Sequence, residues 1–250
     1  MGAKAASPHQ ETGEEPVYEF ERNNEGFRWD KFTEYMKEMD DELPEYVDWE
    51  EAGAVTPAMN QLQCEACVAC ATVSSVESLH QIKTGKLGCG GCSPREAYQY
   101  MSKEGLISEA DYPYTGIAGP CQSKSLPVAA RINGFFLVYV GGDERELMRA
   151  VAKQPVEVTI CATGRFVDYS GNYTLEPKDF AIGEGTEYNH SVLLVGYGVD
   201  ENGTYWKIKN SWGPGWGKRG FAKLRRGVKD PNGTGGMTRP GAFVFFPVME

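Results

Sequence analysis

No stretch of this 250-residue chain approaches the roughly 18 consecutive apolar residues that a membrane-spanning helix needs. The N-terminal MGAKAASPHQETGEEP has no apolar h-region, so these residues carry no export signal and, read alone, predict a cytosolic chain. Basic residues are outnumbered, 25 against 35 acidic, and the formal net charge of −10 argues against nucleic acid or an anionic membrane surface as partner. Histidine is scarce, with only His9, His80 and His190. Internal repeats and low-complexity tracts are missing as well. What remains is a globular chain, 41% hydrophobic, long enough to bury one large core or two lobes that share an interface.

Residues 1–42 are polar and acid-rich and read as a leader that packs weakly, with a short amphipathic stretch at FRWDKFTEYMKEM. The compact domain is expected to run over 43–250. A helical pattern from Cys64 to Thr84 (Val68, Thr72, Val76, Leu79, Ile82) ends at Gly85. In SPREAYQYMSKEG, Ser93 is an N-cap, Pro94 opens the first turn, Glu96 closes a capping box and Gly105 stops the helix. A shorter helix is expected in DERELMRAVAKQ, ahead of Pro155. The pattern then changes: VEVTICA, SVLLVGYGV, TYWKIKNS and GFAKLRR are rich in β-branched and aromatic residues, and DENG at 200–203 joins two of them. The fold class is therefore α+β, helical first and antiparallel β second.

Seven cysteines are many for a cytosolic chain, and the odd count leaves at least one free thiol in a monomer. Three N-x-T sequons, at Asn172, Asn202 and Asn232, lean towards secretion. NQLQCEACVACA at 60–71 places three cysteines three residues apart, a spacing that serves zinc, thiol exchange and nucleophilic catalysis alike. A zinc reading pairs Cys64 and Cys67 with Cys89 and Cys92, but the first pair opens a long helix instead of a tight knuckle. A catalytic reading needs a base for the thiol and an orienter for the base. His9 lies in the leader and His80 within a helix, so His190, at the head of an apolar strand, is the candidate base. Pairing Val199 with Thr204 across the turn puts position 190 roughly opposite 213, a few residues from Asn210. Cys67 sits in the first turn of its helix, where free N–H groups and the helix dipole favour thiolate. Gln61 and the Cys67 backbone N–H together make an oxyanion hole suited to acyl transfer.

Around these residues the sequence resembles the papain-like cysteine proteases. The resemblance runs from LPEYVDWEEAGAVTPAMNQLQC to FVFFPVME, through GCGG, YPYTG, QPV, NHSVLLVGYG and KNSWGPGWGKRGF in that family's order. It implies two lobes, one helical and one an antiparallel β-barrel-like lobe, with the active site in the cleft between them. It implies an endopeptidase in which Cys67 is nucleophile, His190 base, Asn210 its orienter, Gln61 oxyanion donor and Trp212 the ring over the His–Asn bond. Gly91, Cys92, Pro94, Thr159, Ser191 and Trp212 fall at substrate-binding positions, and Pro94, Thr159 and Ser191 suggest an apolar pocket. A Cys64–Cys89 disulfide beside the nucleophile is implied too. So are peptide or protein substrates, inhibitors of the cystatin type, a monomer, neither cofactor nor metal, and a lysosomal, vacuolar or extracellular setting.

The cleft departs from that family in several places. Cys64-Glu65-Ala66-Cys67-Val68 replaces Cys-Gly-Ser-Cys-Trp, and Asn60-Gln61-Leu62 replaces Asn-Gln-Gly. Glu65 brings a carboxylate that opposes a thiolate. Gly91-Cys92 stands where two glycines pair with substrate backbone. The helix usually found after the position of Leu87 is missing, together with the usual partner of Cys121, which is left unpaired or with a new partner such as Cys92. Cys70 and Cys161 read as buried small hydrophobes. The second expectation, from these departures, is a catalytically impaired relative that acts as a binding or inhibitory module.

Overall fold

The structure, a computed structural model, describes residues 18–22, 43–80, 92–117, 125–140, 143–239 and 241–248. Among the described residues, eight strands form one antiparallel sheet: β1 Tyr18–Arg22, β2 Val47–Asp48, β3 Gly134–Tyr139, β4 Val156–Ile160, β5 His190–Asp200, β6 Gly203–Lys209, β7 Phe221–Arg225 and β8 Phe243–Val248. They are ordered β1-β3-β8-β4-β5-β6-β7, with β2 added to β5. Among the described residues, three α-helices complete the frame: α1 Cys67–His80, α2 Pro94–Glu104 and α3 Glu144–Lys153. None of the helices described is long and apolar enough to cross a membrane.

α2 has the caps read in the sequence. The Ser93 side chain accepts from the Glu96 N–H while Glu96 reaches back to the Ser93 N–H, Pro94 is the first helical residue, and the helix stops at Gly105. α3 starts behind Asp143, whose carboxylate accepts from the Arg145 N–H, and ends two residues before Pro155. α1 begins at Cys67, three residues later than the apolar pattern suggested. The expected stop at Gly85 lies outside the described residues.

The sheet separates two cores. Phe136, Val138, Val244 and Phe246 face a large core with β4, β5, β6 and α3. Their neighbours Phe135, Leu137 and Phe245 face the other way, onto Val73 and Val76 of α1 and Tyr98 and Met101 of α2. With apolar partners on both faces, β3 and β8 show no alternation of apolar and polar residues. The sequence reading passed over both. Five leader residues also join the sheet: β1 pairs with β3 from Tyr18↔Val138 to Arg22↔Gly134, although 1–42 were expected to pack weakly.

The β5–β6 hairpin positions the site. Val199 does pair with Thr204, but a bulge between Leu194 and Gly196 shifts the register by one, so Leu193 lies opposite Lys209. Extended to the open end, this brings His190 opposite Trp212 instead of residue 213. At the bulge β2 crosses so closely that a Cβ on Gly196 would stand 2.1 Å from the Val47 carbonyl oxygen.

Candidate active site

His190 opens β5, paired with Ile160 of β4, and is buried. Its Nε2 lies 2.7 Å from Oδ1 of Asn210, the residue that follows β6. An amide oxygen only accepts, so Nε2 carries the proton and Nδ1 is left with its lone pair for another partner. The Asn210 oxygen is held in turn by the Ser211 N–H at 2.8 Å. The Trp212 ring lies 4.7 Å from the imidazole, tilted by 32°, and Phe166 approaches it edge-on at 6.3 Å. Trp216 stands at 88° to Trp212, with its indole N–H on the Phe166 carbonyl. This aromatic wall dries the site: burial lowers the His190 pKa to about 4, against the opposing pull of the Asn210 hydrogen bond.

Cys67 is the first residue of α1, half-buried and free. The backbone of Ser191, next to His190, and of Val68 lie near enough to its thiol to stabilise a thiolate, which sets the sulfur near the head of β5. Burial nonetheless raises its pKa, opposed by those two backbone contacts, and Glu157 raises it further. The carboxylate acting on the thiol is thus buried Glu157 on β4 and not Glu65, which is exposed. Glu157 was missed in the sequence; its only signal is an acid inside the apolar run VEVTICA.

Gln61 is locked to the loop that carries Asn210. Its N–H donates to the Ser211 carbonyl at 2.7 Å, its Oε1 accepts from the Ser211 hydroxyl at 2.5 Å, and its carbonyl accepts from the Tyr114 hydroxyl at 2.8 Å. Nε2 donates one hydrogen to the Cys64 carbonyl at 3.0 Å, and a primary amide has a second. Cys67 is in the first helical turn, so its N–H has no intrahelical acceptor. Gln61 and the Cys67 N–H thus each retain a hydrogen to donate. Asn60 and Trp212 form an isolated antiparallel bridge that fastens the same two loops. Leu62 adopts a left-handed φ of 53°, a strained conformation for a leucine where the resemblance has glycine.

The remaining site residues fall as follows. Thr159 and Ser191 are directly opposed on β4 and β5. Pro94 begins α2, and Cys92 precedes its cap, half-buried and free, with its thiol pushed up to about 11 by burial, then by Glu157, Glu96 and Cys67. The possible bridge from Cys121 to Cys92 is therefore not made; Cys121 itself, like Gly91 and Cys89, lies outside the described residues. Cys64 is disulfide-bonded, its partner also outside them, so the four-cysteine zinc set lacks that thiolate. Cys70 and Cys161 are buried and outside any disulfide, as expected.

A free thiol at a helix start and an imidazole oriented by an amide at the head of β5 are the residue types that acyl-transfer chemistry uses. Residues 43–240 match the papain family cysteine protease pattern. Fruit bromelain from Ananas comosus is 35% identical over 212 residues, covering 78% of this chain and 58% of that protein. Vignain from Ricinus communis is 38% identical over 230 residues, covering 84% and 62%. The chain thus spans about three-fifths of the length of these curated relatives. Among solved structures, the bromelain protease from Ananas comosus in complex with the E64 inhibitor superposes with a TM-score of 0.72 at 32% identity, covering 83% of this chain and all of that one. The Carica candamarcensis cysteine protease in complex with E-64 gives 0.70 at 33% identity, covering 83% of this chain. The chain belongs to the papain family of cysteine proteases, with its two-lobe α+β fold.

Proposed function

We propose that the chain is a cysteine endopeptidase, with residues 43–250 as its peptidase domain. The observation that carries this reading is the 2.7 Å His190–Asn210 contact, which presents Nδ1 at the end of β5 where the Ser191 backbone meets the Cys67 thiol. The Cys67 proton passes to Nδ1, and the thiolate attacks the peptide carbonyl carbon. The oxyanion is received by the Cys67 N–H and the free Nε2 hydrogen of Gln61. His190 then protonates the leaving amine nitrogen as the C–N bond breaks, which leaves a thioester. Water, deprotonated by His190, attacks that thioester, releases the carboxylate and restores the thiol. Burial holds thiol and imidazole neutral at rest, so the ion pair forms only as a unit.

Thr159, Ser191, Pro94, Cys92 and Trp212 lie around the acyl position and contact peptide or protein substrates. Cystatin-type inhibitors compete for the same cleft, and the chain acts as a monomer. The disulfide at Cys64 fits an oxidising setting, vacuolar, lysosomal or extracellular.

Labelling with a peptidyl epoxide, read by peptide mass spectrometry, tests the proposal. Modification confined to Cys67 and abolished by His190→Ala is the expected result. A folded protein that is not labelled and cleaves no fluorogenic peptide overturns it in favour of a binding or inhibitory module.

A further inference from the structure

Behind the dyad, between the helix of the nucleophile and the strand of the base, lies a carboxyl that the reaction above does not use. Glu157 is fully buried in the middle of β4. Its Oε2 is 2.7 Å from Oγ1 of Thr72 on α1, and its Oε1 has no hydrogen-bond partner among the described residues. No basic group pairs with it there. The Ser191 hydroxyl on β5, without a hydrogen-bond partner among the described residues, and the Tyr98 hydroxyl on α2 lie near enough to act on its charge. The titratable groups that feel its charge are Cys67 of α1, Cys92 ahead of α2 and Tyr98 of α2. β5 offers Ser191 and, one residue before it, His190; β8 presents Phe245 opposite Glu157. The buried Lys209 of β6 directs its ammonium to Thr56 at 2.8 Å and Ser74 at 3.1 Å.

The Thr72, Ser75 and Tyr98 hydroxyls around this carboxyl are themselves engaged. Each hydroxyl has one hydrogen to give. The Ser75 oxygen lies 2.7 Å from the Thr72 carbonyl and 2.7 Å from the Tyr98 hydroxyl, which also lies 3.5 Å from the Phe245 carbonyl. Thr72 Oγ1 also lies 2.8 Å from the Val68 carbonyl, which can only accept. Its single hydrogen can go to that carbonyl or to Glu157, but among the described residues Oε1 has no donor and no cation stands beside the carboxyl, so full burial favours the protonated acid, which can itself donate to Thr72. We propose that Glu157 is a positioning residue that works as the neutral acid. Its O–H ties the Cys67 helix to β4, the strand paired with the one that carries His190, and losing that proton turns the tie into an unpaired negative charge opposed to the Cys67 thiolate. Ionisation moves one proton from the carboxyl to solvent and needs no other reactant. Burial pushes the Glu157 pKa up to about 8, against the weaker pull of the nearby Thr72, Ser191 and Tyr98 hydroxyls, so the change falls in mildly alkaline solution.

This inference rests on Cys67 being the nucleophile, yet its test does not need peptide cleavage. The rate of Cys67 alkylation by iodoacetamide is followed from pH 6 to pH 10 by peptide-resolved mass spectrometry, which separates Cys67 from the other free thiols. Wild type is compared with Glu157→Gln and Glu157→Ala, each checked for folding by circular dichroism. Glutamine keeps a neutral donor for Thr72 but cannot ionise. The expected result is a Gln variant within twofold of wild type at pH 6 and about tenfold faster at pH 9, the effect of one removed charge at an effective dielectric of about 20. Superimposable wild-type and Gln profiles overturn the proposal. Alanine, which removes the tie at every pH, is expected to change the rate already at pH 6; an Ala profile identical to that of Gln overturns the positioning half. Because glutamine preserves shape and bonding, that variant carries the test even if the Ala variant fails to fold. An epoxide-resistant, non-cleaving protein whose Cys67 still shows the pH divergence sinks the peptidase reading and leaves this one standing.

Discussion

Asn210 has one acceptor oxygen, and the structure spends it on the imidazole N–H and the Ser211 N–H together. Replacing Asn210 with alanine leaves the buried His190 Nε2–H without an acceptor inside an aromatic wall, at a cost of about 1–3 kcal/mol. It also releases the ring to the other tautomer, with the proton on the nitrogen meant for the thiol. kcat for a fluorogenic peptide should fall by about 100-fold while KM moves little. An unchanged kcat would remove Asn210 from the machinery. At this scale the sequence was informative because Cys67, His190 and Asn210 carry chemistry that few residue types can perform. Glu157 escaped for the opposite reason. A glutamate between valines reads as the solvent-facing member of an alternating strand, and only the packing of α1 and α2 over β4 shows that no solvent is there.

Between elements, legibility followed the range of the determining contacts. The caps of α2 are written within four residues, so Ser93, Pro94 and Glu96 sufficed to place its start. β3 and β8 depend on partners more than a hundred residues apart, such as Phe135↔Pro247. Pro247, which argues against a central strand, is tolerated because the β4 partners of β8 stop at Glu157↔Phe245, so no ladder bond is lost there. The β5 bulge was equally hidden, because it answers β2 crossing at Val47 and Asp48. That crossing gives a sharp expectation for Gly196→Ala. A methyl 2.1 Å from a backbone oxygen cannot be absorbed by a side-chain rotation, so β2 must move away or the bulge must flatten. Either change strains the 3.0 Å bond from the Trp49 N–H to the Val195 carbonyl and shifts His190 against Trp212. We expect a loss of about 2–4 kcal/mol in urea unfolding together with slower epoxide labelling of Cys67. Wild-type stability and labelling would show that β2 does not set the register.

Across the whole molecule, two buried groups with opposite shifts shape the dependence of stability on pH. His190, moved from 6.5 to about 4, binds fewer protons folded than unfolded between those values, so its contribution falls as the pH drops from 6.5 towards 4. Glu157, moved from 4.5 to about 8, binds more protons folded than unfolded, so its contribution is complete below 4.5 and is lost as the pH rises to 8. Each slope is about 1.4 kcal/mol per pH unit. Between pH 4.5 and 6.5 they cancel, and from 6.5 to 8 only the Glu157 slope remains. These two groups therefore give the wild type a plateau followed by a loss of roughly 2 kcal/mol on the alkaline side. Glu157→Gln removes one slope and exposes the other, so the variant should gain roughly 3 kcal/mol from pH 4 to 6.5 and then stay level. Urea unfolding of both proteins at half-unit pH steps measures the difference directly, since every other titrating group is common to the two. If the difference between variant and wild type does not change with pH, Glu157 is ionised in the folded protein throughout, and the protons assigned around Thr72 are misplaced. If it grows steadily from pH 4.5 and levels off near pH 8, one buried carboxyl limits both the fold and the thiolate in alkaline solution.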